Sequence, residues 1–146
     1  MGMHLILLPE IWNSLDSYDS FPVYTITIVG GSIPERSGGR LYNTCCVFDT
    51  DGKLKAKHRK IHLIHLFDID ILGKMTFAES KTLTAGETPT IVDTDVGHIG
   101  IGICCDIQFQ ELAAIYAARG VHLLCYSRAF KMTTSPLPWE LMQLAR

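Results

Sequence analysis

The run Gly100-Ile101-Gly102-Ile103-Cys104-Cys105-Asp106 ends an apolar strand in a cysteine, and helical periodicity begins a few residues later. A tight strand-to-helix turn of this kind exposes a nucleophile at the edge of a sheet and brings backbone N–H groups close enough to hold an oxyanion. The start of a helix also favours thiolate over thiol. Taken alone, the pattern fits a packing cysteine better than a catalytic one. Two further segments bear on it. Leu8-Pro9-Glu10 ends an earlier strand in a carboxylate, and His58-Arg59-Lys60-Ile61-His62-Leu63 follows another strand with a basic cluster. Each has an ordinary structural reading, with Glu10 as a loop cap and Lys60 on a solvated face.

The elements that would carry these residues follow from apolar periodicity. Residues 4–8 form a short apolar run, a buried strand that delivers Glu10. Residues 13–22 read as loop, and residues 23–29, rich in β-branched types, as a strand. Gly30-Gly31-Ser32 is expected to end that strand and residues 34–40 to form a polar loop. Residues 41–49 and 53–59 flank Asp51-Gly52, a strong hairpin signal. Residues 60–89 read as mostly irregular, and residues 90–93 and 98–104 as another strand pair. Phe109, Leu112, Ala113, Tyr116 and Ala117 fall on one face of a helix that Gly120 is placed to end. A strand over 121–126 and a helix from Pro138 complete the pattern. Hairpins mixed with a strand–helix–strand unit argue for a layered α/β fold.

Composition narrows the function classes. A chain of 146 residues suits one domain, and 47% hydrophobic with 19% charged residues is a globular balance. A net charge of −2 and the lack of any basic run give no reason to expect nucleic acid or an anionic membrane as partner. No apolar run reaches the roughly 18 residues of a membrane span. The five cysteines are Cys45, Cys46, Cys104, Cys105 and Cys125, an odd number with two adjacent pairs and no Cys-x-x-Cys. This is a poor disulfide or zinc framework and fits a reducing compartment. The pair His62-x-x-His65 lacks a spaced third ligand, so no metal is expected.

Beyond Glu10, Lys60 and Cys104, a series of segments resembles the omega-amidase branch of the nitrilase superfamily, the carbon–nitrogen hydrolases, in family order. They are Gly30-Gly31-Ser32-Ile33-Pro34-Glu35, Leu41-Tyr42-Asn43-Thr44-Cys45, residues 57–63, Phe67-Asp68-Ile69-Asp70, residues 76–83, Gly102-Ile103-Cys104 with Asp106, Thr133-Thr134, and Trp139-Glu140-Leu141. The resemblance implies a nitrilase-like four-layer α-β-β-α sandwich, incomplete at both ends, with residues 1–146 forming a partial carbon–nitrogen hydrolase domain. It implies hydrolysis of 2-oxo-dicarboxylate monoamides (2-oxoglutaramate, 2-oxosuccinamate) to the 2-oxo acid and ammonia, without a cofactor. In that scheme Glu10 is the general base, Cys104 the nucleophile and Lys60 the oxyanion stabiliser, with Glu79 supporting Lys60. Gln108, Arg128, Phe130 and Thr134 are expected to bind substrate. The partner implied is a small-molecule amide, with a homodimer as the assembly common in the family. The compartment implied is the cytoplasm, with the mitochondrion as a second.

Several positions depart from the family pattern. Cys105 follows Cys104 where an aromatic residue is usual, and Gln108 stands where an arginine would grip a substrate carboxylate. Leu15-Asp16 replaces Pro-Tyr and Ser127-Arg128 replaces Pro-Gly. Ile61-His62-Leu63 is followed by Ile64-His65-Leu66, a three-residue repeat expected to displace Lys60. These departures, with the family elements missing at both ends, leave two alternatives: an inactive truncated paralogue or isoform, and an amidase with an altered substrate.

Overall fold

The computed structural model describes residues 4–7, 26–64, 67–68, 76–77 and 79–128. Its frame is two sheets. The first has the order β1 (His4–Leu7), β2 (Ile26–Ser37), β3 (Arg40–Phe48), β4 (Leu54–Arg59), with β1 parallel to β2 and the rest antiparallel. A minimal pair follows, β5 (Phe67–Asp68) with β6 (Thr76–Phe77). The second sheet has the order β7 (Thr90–Thr94), β8 (Gly97–Ile103), β9 (Leu123–Ser127), and α1 (Gln110–Ala118) connects the parallel strands β8 and β9.

Strand β8 organises the layers through its period of two. Ile99, Ile101 and Ile103 are fully buried and point between the sheets, where they meet Val29, Cys45 and Val47 of the first sheet and Val92 and Cys125 of their own. Full burial of each isoleucine contributes about 1.5–3 kcal/mol. The alternate positions Gly100 and Gly102 face the other way, and there the absence of side chains is what admits α1. A Cβ on Gly100 would lie 2.9 Å from Cγ of Tyr116, and one on Gly102 would collide with the Tyr126 ring. Tyr116 is fully buried, donates its hydroxyl to the Ile101 carbonyl at 2.6 Å and accepts the Thr90 N–H at 3.1 Å. One phenol thus fastens α1 to both β7 and β8.

The expected layered α/β architecture stands, with corrections at particular elements. Strand β2 does not stop at Gly30-Gly31-Ser32, and residues 34–37 are not loop. The register slips between Val29 and Ser32, and the strand runs on to pair Ser37 with Arg40. The two glycines lie at an irregularity inside the strand, and the turn belongs instead to Gly38 and Gly39, whose φ of 56° and 77° suit a two-residue hairpin. Pro34 is tolerated because residues 30–37 pair only with β3 among the described residues, so its missing donor breaks no second ladder. The helix face is narrower than its periodicity predicts. Leu112 and Tyr116 are buried, whereas Ala117 is exposed and Phe109 precedes the helix at 40% exposure. Strand β8 ends at Ile103, one residue short of the cysteine. Gly120 closes α1 with φ 72°, as expected. The helix expected from Pro138 lies outside the described residues, and so does the loop over 13–22.

The first hairpins are laced together at Glu35. Its carboxylate accepts Arg59 Nε and Nη2 at 2.9 and 3.0 Å, Thr44 Oγ1 at 2.7 Å and Lys57 Nζ at 3.2 Å. These bonds, led by Arg59, hold its pKa down from 4.5 to about 2. A carboxylate depressed in this way adds stability above pH 4.5 that disappears as pH falls through about 2. Glu35→Gln is therefore expected to flatten the acid limb of the stability curve in that window, as read by urea midpoints at successive pH values. Parallel limbs for the two proteins would contradict the assignment.

Candidate active site

Lys60 follows the last residue of β4 and is fully buried. Its backbone is pinned on both sides, with N–H to the Asn43 carbonyl and C=O from the Gly86 N–H, each at 2.8 Å. Its ammonium meets both oxygens of Glu79 at 2.8 and 2.7 Å. Glu79 is 6% exposed and also accepts the Ile64 N–H at 3.0 Å. Burial works against the charged lysine, but Glu79 and the negative potential of Cys104 and Cys105 outweigh it, so the Lys60 pKa is raised. The ordinary reading of Lys60 therefore fails: it is not on a solvated face, and Glu79 is buried beside it. Glu79 also donates its backbone N–H to the Ile64 carbonyl at 2.9 Å.

Cys104 opens the 3₁₀ turn Cys104–Gln108 and has φ 48°, a left-handed conformation that costs a non-glycine residue about 1–2 kcal/mol. The chain turns sharply there, as the strand-to-helix reading anticipates. The Cys104 and Cys105 sulfurs are 3.9 Å apart. The Cys105 thiol is lowered to about 7, first by its hydrogen bond with Cys104 and then by the charges of Lys60 and Arg128. The site thus assembles Lys60, Glu79, Cys104, Cys105 and Arg128, with Arg128 half-buried just past β9. Gln108 is exposed at the end of the turn. Glu10, Phe130 and Thr134 lie outside the described residues.

The strained turn is held by a residue that the sequence reading noted only as part of a motif. Asp106 is fully buried. Its Oδ2 accepts the Ile103 N–H at 2.9 Å and faces His58 Nε2 at 3.2 Å. Its Oδ1 accepts the His62 N–H at 2.9 Å and faces His62 Nδ1 at 2.8 Å. Burial raises the Asp106 pKa, but the bonds from His58, His62 and Ile103 bring it below 3.8, so the carboxylate is ionised. An ionised carboxylate only accepts, so the histidine nitrogens facing it carry protons. His62 is further fixed by stacking on Phe109, with ring centroids 3.7 Å apart and planes 9° apart. Asp106 thereby ties His58 and His62, on either side of Lys60, to Ile103, the residue before Cys104. A buried carboxylate three positions into a turn after a strand, with histidines flanking a lysine elsewhere, is a signal that could have been sought.

Among the described residues no cluster of three or more His, Cys, Asp or Glu side chains could hold a metal. No helix among them is long and apolar enough to cross a membrane. Comparison with known proteins gives one consistent set of matches. The family model described as carbon–nitrogen hydrolase matches residues 23–146. A chloroplastic omega-amidase of Arabidopsis thaliana is 68% identical over 169 aligned residues, covering 99% of this chain and 45% of that protein. An omega-amidase of Mus musculus is 48% identical, covering 99% of this chain and 58% of that protein. The chain thus spans about half the length of these relatives. Among solved structures, Nit3 of Saccharomyces cerevisiae, a member of branch 10 of the nitrilase superfamily, superposes with a TM-score of 0.76 at 36% identity, over 97% of this chain and 57% of that one.

The Asp106 clamp makes a direct prediction. Asp106→Asn places an amide N–H against donors and should lower stability by about 1.5–3 kcal/mol. The loss should shrink as pH falls below 3.8 through the lowered native pKa, because protonation removes the wild-type advantage. Urea melts of both proteins from pH 7 downward measure this, and equal midpoints at pH 7 would overturn the role assigned to Asp106.

Proposed function

We propose, from the premise that this chain belongs to the carbon–nitrogen hydrolase family and has the nitrilase-superfamily fold, that it hydrolyses small linear amides in the manner of an omega-amidase. Residues 1–146 form one part of such a hydrolase domain. The observation that carries the reading is the buried Lys60 ammonium, held by both Glu79 oxygens and coupled electrostatically to the strained Cys104–Cys105 turn. A fixed cation in a water-poor site lowers the energy of negative charge that develops on an attacked carbonyl, and it needs no reorganisation to do so.

In this mechanism Glu10 takes the thiol proton of Cys104, and the sulfur attacks the amide carbon. The tetrahedral oxyanion forms against Lys60 and a backbone N–H, then collapses to a thioester as ammonia leaves. Water activated by Glu10 releases the acid and frees the thiol. Glu79 keeps Lys60 charged and aimed. The substrates are 2-oxo-dicarboxylate monoamides such as 2-oxoglutaramate and 2-oxosuccinamate, consistent with the omega-amidase names of the relatives. Their distal carboxylate needs a cation, and with Gln108 in place of a family arginine that part falls to Arg128, whose charge reaches the Cys105 thiol. Phe130 and Thr134 complete the substrate side. An odd set of five cysteines with no Cys-x-x-Cys suits a reducing compartment, the cytoplasm or the mitochondrion.

Ammonia release from 2-oxoglutaramate by the purified chain tests the reading. Cys104→Ala should reduce release to the uncatalysed level while leaving circular dichroism unchanged, and equal release from both proteins would overturn the proposal. Arg128→Gln should raise KM for the anionic amide by about 10- to 100-fold, the worth of one charge-assisted contact. It should leave KM for a neutral amide of similar size unchanged. An equal effect on both amides would remove Arg128 from carboxylate binding.

A further inference from the structure

The five cysteines divide into two chemical classes. Cys45 and Cys125 line the core between the sheets, where burial pushes their thiols up to about 12 and 11, and burial likewise raises Cys46. Cys104 and Cys105 are the opposite case. Their sulfurs are in contact at 3.9 Å, and Lys60 and Arg128 bring positive charge to the Cys105 thiol. Their accessibility differs too, with Cys104 half-buried and Cys105 only 6% exposed. An oxidant therefore reaches Cys104 first, and Cys105 is the sulfur waiting behind it. An aromatic residue at position 105, as the resemblance leads one to expect, would have no such chemistry.

We infer that Cys104 and Cys105 form a hydroperoxide-sensitive modification site, in which Cys105 resolves oxidised Cys104 as a vicinal disulfide. In the first step the Cys104 thiolate attacks one oxygen of the hydroperoxide. An S–O bond forms, the O–O bond breaks, sulfur loses two electrons, and the departing oxyanion takes a proton to leave as water or an alcohol. In the second step the Cys105 thiolate attacks Sγ of the Cys104 sulfenic acid. An S–S bond forms, the S–O bond breaks, and hydroxide leaves with the proton that Cys105 gave up. The sum is two thiols and one hydroperoxide giving one disulfide, water, and water or the alcohol.

Closure brings the sulfurs from 3.9 Å to about 2.05 Å. Consecutive Cα atoms are only about 3.8 Å apart, short of the usual disulfide span of about 4.4–6.8 Å, so the ring is strained and readily reduced. The modification is thus a reversible cap that protects Cys104 from passing on to sulfinic acid. Only its consequence for activity rests on Cys104 being the amide nucleophile; the sulfur chemistry does not.

The test is mass spectrometry of the whole chain after a brief hydrogen peroxide treatment, with and without dithiothreitol, in the presence of dimedone. The wild-type chain should lose two hydrogens, localised to a Cys104–Cys105 disulfide, recover them on reduction and take up little dimedone. Cys105→Ser should instead accumulate dimedone on Cys104 and then sulfinic acid. Wild-type protein that accumulates dimedone-labelled or sulfinic Cys104 with no 104–105 disulfide would overturn the inference, and that result does not depend on the variant folding. If the disulfide forms in a chain that hydrolyses no amide, the proposed function falls and this inference stands. If amide hydrolysis is present and no disulfide forms, the inference falls alone.

Discussion

The buried carboxylate of Asp106 is the constraint on which the site's geometry depends. Its negative charge is turned inward rather than toward substrate, because both oxygens are occupied by Ile103, His58 and His62. Those partners come from β8, from β4 and from the segment after Lys60. Since β4 and β8 belong to different sheets, Asp106 crosses the sandwich and fixes the distance between the lysine's surroundings and the cysteine's. A buried ion is costly unless its hydrogen bonds are complete, so this arrangement tolerates little displacement of either side.

Hydrophobic packing between the sheets supplies the rigid support. Ile99, Ile101 and Ile103 fill the space toward the first sheet, while glycines at the alternate positions let Tyr116 bring α1 against β8. That strand then ends where the chain must turn, and Cys104 takes a left-handed conformation that only surrounding structure can maintain. The strain at Cys104, the Asp106 bonds around it and the Lys60–Glu79 pair form one connected unit. The two thiols and the two cations sit within it, and the same positive charge that would stabilise an oxyanion also stabilises thiolate.

Much of the fold was legible because it rests on local pattern. The alternation of β8, the Asp51-Gly52 hairpin and the helix closed by Gly120 all declare themselves in a few consecutive residues. The readings that failed were those in which tertiary pairing overrode a local signal. Gly30-Gly31 looks like a terminator, but pairing with β3 carries the strand through it, and Gly38-Gly39 makes the turn instead. Phe109 matched the helix period, yet it lies ahead of the helix and stacks on His62.

The sequence by itself determined the chemical inventory: which residues can attack, hold a proton or carry fixed charge, and the family order in which they occur. It also determined the strands and helix whose periodicity buries one face. Only the tertiary structure decided the state of those groups. Lys60 and Glu79 are 19 positions apart and became a buried pair; Asp106 lies 44 and 48 positions from its histidines and became their common acceptor. Burial and charge pairing act through space, and a one-dimensional pattern carries neither the dielectric around a group nor the identity of its distant partner.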